Sequence, residues 1–126
     1  TEWKVFDSKS SVAGTIDMVY KKPNGELFIF DWKRTTKLVN DIGTIIKSDF
    51  EYGYDELENL SNNSYNKYCL QQNLYKYILE DNYGEKVSSM NILVLHPRYH
   101  TYFHLQVPNL IKETEFLIRK AREKSI

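Results

Sequence analysis

The sequence predicts an α/β sandwich, a mixed central sheet of about four or five strands flanked by two helices. Three observations carry that expectation. Two runs rich in β-branched and aromatic residues, Ser11 to Tyr20 and Glu26 to Lys33, are separated by Pro23-Asn24-Gly25. Tyr65 to Asp81 sets Leu70, Leu74, Tyr77 and Ile78 at three- and four-residue spacing, the period of a helix. Val87 to Leu95 reads as a buried strand. At 126 residues and 41% hydrophobic content, residues 1–126 fit a single domain with one core.

Taken in order, Trp3 to Phe6 reads as a short strand, and the two longer runs form an antiparallel hairpin. A three-residue hairpin loop wants a type I turn followed by a residue at positive φ, and Gly25 supplies it. That loop puts Lys22 opposite Glu26; the same register continued down the ladder sets Asp17 opposite Asp31. Directly opposed residues have Cβ atoms ~4.5–5.5 Å apart on one side of the sheet, and Lys33, two residues beyond Asp31, points there too. The same face carries Ala13, Val19, Leu27 and Ile29; the other carries Val12, Ile16, Met18, Phe28, Phe30 and Trp32. Because both faces are apolar, the hairpin is expected in the middle of a sheet covered by helices on both sides.

Arg34 to Ser61, with Phe50, Glu51, Tyr52, Tyr54 and Asp55, has weak periodicity and reads as a long loop with room for a short helix. The helix over Tyr65 to Asp81 has Ser64 as N-cap and Gly84 just past its end. His96-Pro97 breaks the strand from Val87, Thr101 to Val107 makes another, and Asn109 to Lys124 has the pattern of a surface helix.

Composition narrows the function classes. Seventeen basic residues balance seventeen acidic ones, so any basic footprint for a nucleic acid must be local. The single cysteine, Cys69, excludes a disulfide framework or a cysteine-ligated zinc or iron–sulfur site within this chain, and is expected to pack in the core. No apolar run approaches the ~18 residues of a membrane span, and no signal peptide is recognisable, so an intracellular protein, cytoplasmic or nuclear, is expected. The start on Thr1, directly before a strand, suggests a domain cut from a longer protein or lacking its N-terminal helix. Richness in Lys, Asn, Tyr and Ile is that of an AT-rich genome, a viral one included.

The chemistry gathers at the hairpin. Two carboxylates opposed on an apolar sheet repel and are poorly solvated, and a divalent cation offsets that cost. Asp oxygens suit Mg²⁺ or Mn²⁺, ions that keep several waters, and a neighbouring lysine can orient an attacking water and stabilise developing charge. The plainer alternative is an Asp31–Lys33 ion pair at a strand end with Asp17 capping a turn. Lys33, Arg34 and Lys37 follow one another closely and, with Arg98, could meet a nucleic-acid backbone; an ordinary solvated face is the competing reading. Tyr52, Tyr54 and Tyr65 are candidates for stacking on bases. His96, His100 and His104 lie along one stretch with Arg98, but such spaced histidines more often face solvent or phosphate than ligate zinc.

Three pieces together resemble a known family: Gly14-Thr15-Ile16-Asp17, then Asp31-Trp32-Lys33, then Gln71 and Tyr75 within Tyr68-Cys69-Leu70-Gln71-Gln72-Asn73-Leu74-Tyr75. Their order resembles the RecB-like and lambda-exonuclease-like branch of the PD-(D/E)XK nucleases, whose pattern is Gly-x-x-Asp, a hairpin, Asp-x-Lys, and a helix bearing Gln-x-x-x-Tyr. The resemblance covers roughly Glu2 to Val107 and implies a restriction-endonuclease-like fold and Mg²⁺- or Mn²⁺-dependent hydrolysis of DNA phosphodiesters. By it, Asp17 and Asp31 are metal ligands with the backbone carbonyl of Trp32, Lys33 orients the water, and Gln71 and Tyr75 face the active site or the DNA. A role in DNA repair, recombination or replication follows, with a helicase or another protein of those processes as a partner. The sequence departs from the pattern in having Ile16 where the family usually has proline. It also shows no upstream helix bearing a His or Glu, for which Glu2 is a candidate substitute. The four-cysteine iron–sulfur cluster of some relatives cannot be built. Exonuclease action is preferred by analogy with the branch; an idle DNA-binding or scaffold module and a structure-selective endonuclease are the alternatives.

Overall fold

The Pro23-Asn24-Gly25 reversal forms as its residues dictate. Gly25 has φ 89°, its N–H and the carbonyl of Lys22 close the turn at 2.8 Å, and Lys22 N–H donates to the Glu26 carbonyl at 2.8 Å. The Asn24 side chain accepts the Glu26 N–H, so the turn's last donor is also satisfied. The computed structural model describes residues 2–46 and 64–124. The elements are β1 (Trp3–Phe6), β2 (Ala13–Ile16), β3 (Met18–Lys21), β4 (Leu27–Arg34), α1 (Ser64–Tyr83), β5 (Val87–Leu95), β6 (Phe103–Gln106) and α2 (Ile111–Lys124).

β3, β4, β5 and β6 form a mixed sheet in that spatial order, with β4 and β5 parallel and the outer pairs antiparallel; β1 and β2 form a separate two-stranded ladder. The β3–β4 register is the one the turn requires, Met18 opposite Phe30 and Lys21 opposite Leu27.

The run from Ser11 to Tyr20 is not one strand, however. Hydrogen-bonded pairs alternate along an antiparallel ladder, so continuation from Lys22–Glu26 would give the Trp32 N–H to the Ile16 carbonyl. The Asp17 carboxylate takes that N–H instead, at 2.9 Å, and the chain bends there. Ile16 then pairs with Trp3 of β1 and is fully buried.

Helical cover was expected on both faces of the sheet, and among the described residues it is found on one. Leu27, Ile29 and Asp31 of β4 and Met90, Ile92 and Val94 of β5 share a buried face; α1 packs on this side and α2 packs on α1. On the opposite face Tyr20 and Trp32 are 55% and 45% exposed, and Phe28, Phe30, Ser89, Asn91, His104 and Gln106 line a shallow concavity to which, among the described residues, no helix contributes. Aromatic side chains tile this surface, and residue type alone does not distinguish an open aromatic face from a covered one.

After β4 the chain is tied back by Leu38 and Val39, both buried, and by a turn in which Asn40 accepts two backbone N–H groups and Gly43 adopts φ 87°. Tyr99 donates to the Val39 carbonyl at 2.7 Å. No helix occurs in the loop up to Ile46; Phe50, Glu51, Tyr52, Tyr54 and Asp55 lie outside the described residues. α1 ends at Tyr83, and Gly84, at φ 66°, supplies the left-handed residue that terminates it. Among the described residues no helix is long and apolar enough to cross a membrane.

Candidate active site

Alternation along β4 places Asp31 and Lys33 on the helix-covered face. Lys33 Nζ stands 3.6 Å from Asp31 Oδ2. Asp31 is only 2% exposed, and burial lifts its carboxyl above the ordinary range; Lys33 pulls it back, while the charge of Asp17 adds to the rise. The pair is therefore under-compensated, and a second carboxylate close by makes it more so.

Two residues of α1 hold the lysine from the other side. Gln71 Oε1 accepts from Lys33 Nζ at 3.1 Å, and the ammonium lies 4.4 Å from the ring centroid of Tyr68, one helical turn before Gln71. Tyr68 was not singled out in the sequence, although its three-residue spacing from Gln71 is the signal that would have found it.

Tyr75, one turn further along, is buried, and its phenol is pushed to higher pKa first by burial and then by Asp31. Its ring crosses the backbone of β2 at Gly14 so closely that a Cβ there would overlap the ring, 2.7 Å from the hydroxyl oxygen. The glycine and the tyrosine are thus two halves of one contact. The phenol interacts with the backbone of Thr15 and with Asp17 and Gln71, so the bend that presents Asp17 is braced from α1.

Gln72 was also missed by sequence reasoning. Its side chain is fully buried and lies against Asp31, lowering that carboxyl slightly, yet neither its amide nitrogen nor its oxygen has a partner in hydrogen-bonding geometry. No sequence signal separates it from Gln71 beside it.

The remaining candidates are more dispersed. Trp32 gives its N–H to Asp17. Glu2 is exposed and directly precedes Trp3, whose partner Ile16 adjoins Asp17. Among the described residues no three His, Cys, Asp or Glu side chains gather around a common point. Arg34 stands at the end of β4, opposite Leu95, and lines a cleft with His96, Pro97 and Tyr99. Lys37 is exposed three residues on, and Arg98 is paired with Asp41 at 3.0 Å on an exposed surface. The histidines go separate ways: His96 Nδ1 accepts the Arg98 N–H, and His104 Nε2 meets Asn91 Oδ1 at 2.6 Å on the open face. Cys69 is buried, its thiol pushed up to about 11 by burial, which makes it a packing group.

The arrangement can do one kind of chemistry economically. A buried carboxylate raised in pKa, a second carboxylate at an exposed bend and a buried amide offer hard oxygen donors of the type that Mg²⁺ or Mn²⁺ accept. Comparison with protein-family models and with curated proteins finds no match.

Proposed function

We propose that this chain is a metal-dependent DNA nuclease domain of the PD-(D/E)XK kind, with a restriction-endonuclease-like fold, that hydrolyses phosphodiester bonds, by preference from an end. The single observation that carries the reading is the state of Asp31: 2% exposed, raised in pKa by burial, 3.6 Å from a lysine and repelled by a second carboxylate. Such a group gains from a cation what the protein alone withholds.

Asp17 and Asp31 would hold the ion, with the Trp32 carbonyl as a third protein ligand and Glu2 as a candidate fourth. A bound Mg²⁺ or Mn²⁺ supplies charge neutralisation at the phosphate and a more acidic water. Lys33, fixed by Gln71 and Tyr68, orients that water and donates to the phosphate as charge develops. Arg34 and Lys37, with Arg98 once Asp41 releases it, would meet the DNA backbone. An intracellular setting and service beside a helicase or another replication or recombination protein go with this reading.

Incubating the domain with end-labelled DNA, with and without Mg²⁺, tests it, with Lys33→Ala alongside. Mg²⁺-dependent shortening that the variant lacks supports the reading; no cleavage under any divalent ion removes it. Cutting of circular single strands would make it an endonuclease.

Two observations favour a second reading, an idle DNA-binding module: Asp17 already accepts the Trp32 N–H, and Lys33 already pairs with Asp31. Calorimetric titration with Mn²⁺ separates the two, since an idle module gives no heat that Asp17→Ala abolishes.

A further inference from the structure

Helix α1 presents three consecutive amides to the interior, and they are treated differently. Asn73 is fully used: its nitrogen donates to the carbonyls of Cys69 and Pro108, and its oxygen accepts the Leu110 N–H at 2.8 Å. It ties α1 to the start of α2. Gln71 accepts from Lys33. Gln72, between them, is as deeply buried as any residue in the protein, and both its polar atoms lack a partner.

A buried amide without hydrogen bonds is costly, and an apolar residue of the same size would remove the cost. It lies beside the Asp31 carboxylate, whose ion-pair partner, Lys33 Nζ, stands 3.6 Å away. We propose that Gln72 is a positioning residue of the metal site: its amide orients the Asp31 carboxylate and takes its hydrogen bonds only when a hydrated divalent cation occupies the site. The inference rests on the metal-dependent reading above and adds to it a residue outside the Gln-x-x-x-Tyr pattern. The amide makes the cation-free state less stable than it could be, and the cation-bound state recovers the loss. Gln72 therefore widens the difference between the two.

The test is thermal unfolding of the chain and of Gln72→Met, with and without Mn²⁺. Methionine keeps the length and lacks the amide. Without metal the variant is expected to melt higher, by about 4 °C; its Mn²⁺-induced rise is expected to be smaller, with an affinity weaker by about tenfold. Gln72→Glu is expected to do the reverse, melting lower without metal and gaining more from Mn²⁺, because it adds a second buried carboxylate beside Asp31. Should either variant fail to fold, the side-chain amide resonances of Gln72 in the unaltered protein report directly: Mg²⁺ is expected to shift them and slow their exchange. A Gln72→Met protein that melts no higher and gains as much from Mn²⁺ overturns the proposal while leaving the metal site standing, as do amide resonances that Mg²⁺ leaves in place. Absence of any Mn²⁺ effect on the unaltered protein overturns both.

Discussion

Among the described residues two carboxylates are almost completely buried, and their surroundings are opposite. Asp7 is fully enclosed and fully satisfied: Arg122 reaches it through two nitrogens at 2.8 and 3.1 Å, Ser10 donates at 2.6 Å and Asn82 at 3.1 Å. The Arg122 guanidinium holds its carboxyl well below the usual carboxylate range. Arg122 also pairs with Asp81 at 2.7 Å, so the knot binds the β1–β2 connection to α1 and α2. Asp31 is as deeply placed but has one lysine at 3.6 Å and a like charge nearby, and although the Asp17 backbone and the Gln72 amide lower its carboxyl, burial leaves it raised. Where the fold requires a buried charge, it completes the charge's hydrogen bonds; where it leaves one wanting, the deficit points to a ligand. On the nuclease reading, perturbation in opposite directions sorts one carboxylate to structure and the other to chemistry.

The sharpest break in that comparison is to remove a group from each region. On the nuclease reading Lys33→Ala lowers Mg²⁺-dependent cleavage by about 10³-fold, since it deletes the donor aimed at developing charge, with the circular-dichroism spectrum unchanged. Asp7→Ala should do the opposite, removing about 3 kcal/mol of stability by leaving Arg122 without its buried partner. The sign of the pH effect follows. Asp7 is lowered from an ordinary value of 3.8, so its stabilisation is whole above that value and is lost as pH falls below it, towards the folded-state pKa. Urea unfolding between pH 2 and pH 7 checks it: the unaltered protein should lose stability through the acid limb, and Asp7→Asn should lose distinctly less. Equal slopes would mean the knot is not what acid breaks.

A second pair of substitutions separates bracing from binding. Gly14→Ala drives a methyl into the ring of Tyr75 and should cost about 2 kcal/mol. Tyr75→Leu alone should also destabilise, but in the double variant the two costs should fall well short of their sum, because the clash is gone. Additive costs in a double-mutant cycle would mean that the glycine and the tyrosine act independently, and that the bend at Asp17 is not braced by α1.

How much of this was legible depended on whether the cause was local. Gly25 has to sit at positive φ in a three-residue loop, so the hairpin register from Lys21–Leu27 to Met18–Phe30 followed from a tripeptide; the expected opposition of Asp17 to Asp31 lies one step beyond the end of that ladder. The period of α1 and the one-sided placement of Asp31 and Lys33 were equally local. The break at Asp17 was not: strand propensity takes no account of a carboxylate competing for the N–H of Trp32 across the ladder. The Asp7–Arg122 knot joins residues 115 apart, a pairing that no spacing rule reaches. Gln72 was invisible for a different reason, since its meaning lies in a partner it lacks.

The smallest effect tests whether the site's lysine is held as tightly as its two contacts imply. Tyr68 offers Lys33 a ring face at 4.4 Å, and the interaction of an ammonium with a partly buried aromatic is worth roughly 1 kcal/mol. Phenylalanine keeps the face, so on the nuclease reading Tyr68→Phe should cleave DNA at close to the original rate. Tyr68→Leu removes the face and should lower kcat about fivefold with little change in KM, because the group it positions acts on charge that appears during the reaction. A fall in rate shared equally by both variants would assign the effect to the hydroxyl, and Lys33 would then be held by Gln71 and Asp31 alone.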